Sequence, residues 1–146
     1  MIFAIVENTV ISSTLPNDTN ALYLVVSSAD CTERSFCTEA CGWHNYQLPG
    51  NLKYSWVGNP EYFCPSACSA QSVSRDGNLG VDAMVSVIAY EATEAVSDPS
   101  LNAWLDSDGE EKVDKCTWTF GNVMQASHGA DYNILLNGLN YLVQQN

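Results

Sequence analysis

The chain has 146 residues, enough for one domain with its own core, and 46% of them are hydrophobic. Its charge is sparse and one-sided: 17 Asp plus Glu against 5 Lys plus Arg, a formal net charge of -12. This excludes a nucleic-acid partner, because no basic footprint exists to displace counterions from phosphate, and it disfavours docking on an anionic membrane.

Residues 2–12 place Ile2, Phe3, Val6 and Val10 at helical spacing and are expected to form a short helix, with a strand as the alternative. Residues 1–6 are apolar but lack a basic lead, and Glu7 interrupts them, so they do not read as a signal peptide. No segment is long enough to insert across a membrane. Pro16-Asn17-Asp18 marks a turn, and Asn17-Asp18-Thr19 is a glycosylation sequon with Asn17 as acceptor. Residues 21–27 (ALYLVVS) predict a buried strand. Residues 30–50 read as a cysteine-bearing loop containing CGWHNY, and alternation in LKYSWV predicts a strand over 52–57.

Residues 58–80 read as loop. Residues 81–96 then give the clearest helix, with apolar residues at 81, 84, 85, 88, 92, 95 and 96 as its expected core-facing stripe. Asp98 before Pro99 should stop it. Residues 105–115 form an acidic loop. YNILL and LNYLV flank Asn137-Gly138, a hairpin signal. The pattern is one α+β domain over 1–146: a small mixed sheet packed on a central amphipathic helix at about 81–97, cysteine-bearing loops and a C-terminal hairpin. The sheet is expected to draw strands from both sides of the helix.

The helix also carries chemistry. Zinc hydrolases hold metal with two ligands one helical turn apart and use an acid beside the first as general base. Here Glu91 stands at the base position and Glu94 at the second ligand position, with Asp98 one turn further. The first ligand position is Tyr90, whose phenol must lose a proton of pKa near 10 before it can bind metal. The bland reading is that Tyr90, Glu94 and Ser97 form a solvent-facing polar stripe opposite the apolar one.

Cys31, Cys37, Cys41, Cys64, Cys68 and Cys116 are all disulfide candidates, at a density typical of an oxidising compartment. CTEAC and CPSAC are both C-x3-C, so a zinc site is the competing reading. The sequence assigns no pairing. His44 reads as a hydrogen-bonded loop residue, with the alternative that it approaches the helix as a metal ligand. His128 is expected to be exposed. DSDGEE, residues 106–111, resembles a calcium loop but lacks the full ligand pattern. Trp43, Trp56, Trp104 and Trp118 belong to the core or, alternatively, to a carbohydrate-binding surface.

Several segments together resemble a known family. LPNDTNALYLVVSSAD, FCTEACGWHNY, YSWVGNPEYFCPSAC, GNLGVDAMVSVIAYEATEAVSDPSLNAW and DKCTWTFG occur in the order seen in the phosphate-induced, EXORDIUM-like proteins, from about residue 10 to residue 145. The resemblance implies a secreted protein of the extracellular space or, in plants, the cell wall or apoplast, linked to growth or environmental response. Cell-wall or extracellular components are the partners it suggests. Many non-plant members carry His-Glu where this chain has Tyr90-Glu91, then a Glu at 94 and Thr-Asp-Pro. That gives an H-E-x-x-E pattern similar in style to zincin metalloproteases, and a zincin-like fold is compatible with the element order. Plant members often lack the acidic pair.

In this chain Tyr90 removes the best metal ligand. The resemblance therefore implies a non-catalytic protein, with no cofactor expected. The alternative is a degenerate zinc metallohydrolase, with Glu91 as base and Glu94, Asp98 and His44 as ligands. His44 matches a family histidine. Relatives have a longer N-terminal part with a signal peptide, and a tail that often holds a further cysteine. The chain is thus expected to be truncated at both ends. Cys31 looks additional, and Cys116 either pairs with it or stays free.

Overall fold

The computed structural model describes residues 1–75 and 77–145. Helix α1 (Ile2–Ile11) leads into strand β1 (Leu22–Val26), then β2 (Gly42–Gln47) and β3 (Leu52–Val57). These make a three-stranded sheet in the order β1-β3-β2, with β1 parallel and β2 antiparallel to β3. A short helix α2 (Pro65–Cys68) and the long helix α3 (Leu79–Ser97) follow. After α3 come a 3-10 turn (Val113–Cys116), the pair β4 (Met124–Gln125) and β5 (Asp131–Tyr132), and the hairpin β6 (Ile134–Leu136) and β7 (Leu139–Tyr141). The fold is mixed α+β, as the sequence implies.

Alternation along β3 sends its side chains to two different cores. Tyr54 and Leu52 join Val6 of α1 and Tyr23 of β1 on one face, with Phe3 and Trp43 packed against them. Trp56 meets Phe36 edge-on at 5.1 Å beside Cys64 and Cys68. The other face offers Val57 and Ser55 to α3, where Met84 and Val87 pack on Val57.

Three expectations need correction. Residues 42–47 are a strand, not loop. Gly42 at its start and the flanking Cys41 and Pro49 weaken the local signal, but pairing with β3 along its whole length fixes it. The sheet also lies wholly before α3, because the later strands form two separate pairs. Finally, β1 is only half-buried: it is a sheet edge with Leu24 and Val26 exposed, since α3 covers β2 and β3. The residue 58–80 loop contains the one-turn α2. The hairpin at Asn137-Gly138 forms as expected, with both residues in the left-handed region that its tight turn requires.

The cysteine pairs explain each other. Cys64, the N-cap of α2, and Cys68 at its end are one turn apart and share a face. That face meets Cys37 and Cys41, giving Cys37–Cys64 and Cys41–Cys68 with Cα separations of 5.7 and 5.5 Å. Disulfides rather than a zinc cluster therefore use both C-x3-C segments. Cys31 and Cys116 are free thiols. Each bridge closes a chain separation of 27 residues. Cleaving the bridges should cost about 2–4 kcal/mol for the first and less for the second, since the two loops nearly coincide. Urea unfolding with and without reductant measures this, and a Cys31→Ser/Cys116→Ser variant should unfold at the unreduced midpoint.

Candidate functional site

Helix α3 starts cleanly because the Asn78 side chain accepts from the Val81 N–H at 3.0 Å. Its buried face is not the expected stripe. Gly80, Ala83, Met84, Val87, Glu91, Glu94 and Ala95 are buried, while Val81 is 42% and Val96 84% exposed. The helix is rotated so that its acidic positions face the sheet. Glu91 is 2%, Glu94 6% and Asp98 1% exposed, so the solvent-facing reading of this polar stripe is overturned. Alanine and valine on several sides of the helix leave its apolar direction weakly specified, and contact with β2 decides it.

That contact depends on Gly42. A Cβ there would lie 2.7 Å from Val87 Cγ1 and 3.0 Å from Glu91 Oε1, so only glycine lets α3 approach this closely. Two residues on, His44 projects from β2 to the same face and is 7% exposed. It is hydrogen-bonded as expected, but from a strand rather than a loop. Its Nε2 lies 3.0 Å from the Asp98 carbonyl oxygen. A carbonyl only accepts, so Nε2 carries the hydrogen. Nδ1 then faces the helix, 3.4 Å from Glu94 Oε2 and 3.8 Å from Glu91 Oε2.

The segment after α3 completes the site. Glu111 enters the cluster: one donor atom each of His44, Glu94 and Glu111 lie within 4.8 Å of one another. In the sequence Glu111 stands out only as part of an acidic run. Within that run Asp106 Oδ1 accepts from the Asp108 and Glu110 N–H groups, and Lys115 bridges Asp106 and Glu110. The loop thus neutralises its outer acids and a bridge between Leu105 and Glu111 closes its base, turning Glu111 inward. Asp98 gives its backbone carbonyl to His44, while its Oδ1 accepts from the Asn102 N–H at 2.7 Å. Tyr90 donates to Asp114 at 2.5 Å. His128 is exposed, and so is Asn17.

His44, Tyr90, Glu91, Glu94 and Glu111 surround a cavity of about 540 Å³, lined also by Glu39, Trp43, Asp114 and Trp118 and by Cys37, Cys41 and Cys68 of the disulfides, while Asp98 lies outside its lining. Among the described lining residues, His44 is the one base. Burial pulls its imidazole down, but Glu91, Glu94 and the Asp98 carbonyl outweigh this and raise it from 6.5 to about 10. Burial raises Glu91, partly opposed by His44. Burial, with the nearby Glu94 charge, raises Glu111 to about 7. These shifts have one source: several carboxylates share a poorly solvated space with a single base. Burial and the bond to Asp114 also raise the Tyr90 phenol.

The fold and site together define a disulfide-stapled α+β domain enclosing a buried histidine–carboxylate cavity. The chain belongs to the phosphate-induced protein 1 family, whose conserved region matches residues 4–145. It is 30% identical to Protein EXORDIUM-like 3 of Arabidopsis thaliana over an alignment covering 97% of this chain and 51% of that protein. It is 31% identical to Protein EXORDIUM-like 5 of the same plant, covering 91% and 46%. The chain spans about half the length of the curated relatives it matches. No solved structure matches it.

The shifts set the pH dependence of the metal-free protein. A raised histidine stabilises the fold fully below its unfolded value of 6.5, and this is lost as pH rises through about 10. A raised carboxyl has the same sign: Glu111 favours the fold below 4.5 and loses that contribution as pH rises to about 7. The thermal midpoint in chelator should therefore fall from about pH 5 to about pH 9, and His44→Gln should flatten the upper part of that decline.

Proposed function

We propose that the protein is secreted and acts outside the cell, at the cell wall or in the extracellular space, in growth or environmental response. It works by binding rather than catalysis, and its working site is the cavity between α3, β2 and the segment around Glu111. Two disulfides in the cavity wall suit an oxidising compartment, as does the relationship to EXORDIUM-like proteins. An exposed sequon at Asn17 agrees with it. Among the described residues, no helix is long and apolar enough to cross a membrane.

One observation carries the binding reading. Tyr90 occupies the helical position where a metal-activating pair would place its first ligand, and its hydroxyl donates to Asp114. Its raised pKa keeps the phenol protonated, a donor rather than a ligand. The cavity itself, lined by Glu39, Glu91, Glu94, Glu111 and Asp114, suits a cationic guest and repels acidic polymers. Trp43 and Trp118 line the cavity, but the four tryptophans do not form one continuous sugar-binding groove. Trp56 is buried, Trp43 packs beside it, and the exposed Trp104 lies outside the cavity against Lys112.

A second reading, a metal-dependent hydrolase with Glu91 as general base, is favoured by Glu91 itself. Its carboxylate lines the cavity, leaves a buried oxygen without a hydrogen-bond partner, and has a raised pKa. Assay of the oxidised, zinc-supplemented protein against peptide, ester and glycoside panels separates the two. No turnover above buffer is expected, whereas turnover abolished by Glu91→Gln would establish the hydrolase. Fractionation of producing cells should recover the protein outside them with both bridges formed. Retention as a reduced cytosolic protein would defeat the assignment of compartment.

A further inference from the structure

We propose that the cavity is a site for a divalent transition-metal ion of the zinc class, held by Nδ1 of His44 and the carboxylates of Glu94 and Glu111. This rests on reading the cavity as a cation-binding site and names its ligand.

A cluster of acids alone would not make a site, but the imidazole changes the problem. Its Nε2 hydrogen is committed to the Asp98 carbonyl, so Nδ1 is the atom presented to the cavity. An outer contact of this kind fixes the tautomer and aim of metal-binding histidines. Nδ1 stands 3.4 Å from Glu94 Oε2, too long for a charge-assisted N–H···O bond, which prefers about 2.7–2.9 Å. It matches the edge of a tetrahedron with metal–ligand bonds of about 2.1 Å, which is roughly 3.4 Å.

The second observation concerns the carboxylates themselves. Glu91 is 2% exposed, lines the cavity, and its Oε2 has no hydrogen-bond partner. Oε2 of Glu111, already in the cluster, is also buried and without a partner. Orphaned buried acceptors of this kind are rare and point to an unpaired positive guest.

The donor set narrows the choice of ion. Calcium and magnesium favour shells made entirely of oxygen, with six or more ligands. One imidazole and two carboxylates suit zinc or a neighbouring transition metal, with a fourth position open to the cavity. The ligands come from β2, α3 and the loop beyond α3, so the fold assembles the site without Tyr90. A helical i, i+4 pair is not needed.

The test uses the oxidised full chain, freed of metal by chelator and dialysis, in about 0.15 M salt so that diffuse attraction to the acidic surface is screened. Zn²⁺ alone and Co²⁺ alone are titrated, by calorimetry and by visible absorption respectively. One saturable site is expected, with tetrahedral Co²⁺ bands. His44→Gln and Glu111→Gln should each weaken binding by at least about tenfold. Glu7→Gln, on α1 across the sheet, should leave it unchanged. Glu111 is only partly buried, so its variant preserves the test if His44→Gln fails to fold. Absence of saturable binding, or binding that survives the Glu111 change and any folded His44 variant, overturns the metal assignment. Spermidine is titrated in parallel. If spermidine binds and neither metal does, the cavity remains a cation site and the metal assignment falls; if nothing binds, both readings fall.

Discussion

Helix α3 turns Glu91, Glu94 and Asp98 toward a sheet, and among the described lining residues His44 is the one base to meet them. This is the constraint on which the rest of the structure hangs. An unpaired carboxylate taken out of water costs several kcal/mol, so the helix can adopt this rotation only with a proton or cation at its face. His44 supplies it twice. Its Nε2–H satisfies a carbonyl at the C-terminal end of α3, where the helix dipole favours positive charge, and its Nδ1 faces the carboxylates. Removing the imidazole would leave both the carbonyl and the carboxylates short of a partner.

The surroundings hold that arrangement in place. Gly42 brings α3 close to β2, and the disulfides fasten the opposite wall through Cys41 and Cys68. Lys115 gathers Asp106 and Glu110 outside the cavity, which leaves Glu111 as the acid turned inward. The last described residues brace the rim, where the Gln144 side chain accepts from the Trp118 N–H and the Gln145 N–H donates to the Thr119 carbonyl. Leu101 and Trp118, both on the rim, hold left-handed backbone conformations uncommon for side chains of this size. Such conformations persist where the neighbouring structure over-determines them. The rim is therefore a constructed feature of the fold rather than a slack surface loop.

Much of the scaffold is legible in the sequence, and what is legible is local. Apolar spacing marks α1 and α3, alternation marks β3, and Asn137-Gly138 marks the hairpin, because each signal lies within a few residues of what it specifies. The spacing of Cys64 and Cys68 fits the one turn of α2, but Cys37 and Cys41 lie in a non-helical turn, so the pairing itself is not legible locally. What escaped is set at long range. Strand β2 exists through its pairing with β3, and the rotation of α3 is chosen by Gly42, which lies in a different element. The site divides the same way. Glu91 and Glu94 stand out through their helical spacing, and His44 through its setting in CGWHNY. Nothing near Glu111 distinguishes it from Glu110, since only the loop's closure sends one inward and the other to Lys115.

This division bears on what Tyr90 means. A metal-activating helix keeps its ligands one turn apart on a single element, so loss of the first ligand ends the site. Here the imidazole comes from a strand, and 54 residues separate His44 from the carbonyl that orients it. Its position relative to Glu94 is set by the helix–sheet distance, which Gly42 controls, and not by helical pitch. Tyr90 is meanwhile committed elsewhere, holding Asp114 and with it the 3-10 turn against α3. Tyr90 thus offers no metal ligand from the helix, while its bond to Asp114 holds the wall that carries Glu111 toward His44. The tyrosine that argues against helix-based zinc chemistry helps to build the cavity in which a strand histidine and two carboxylates converge.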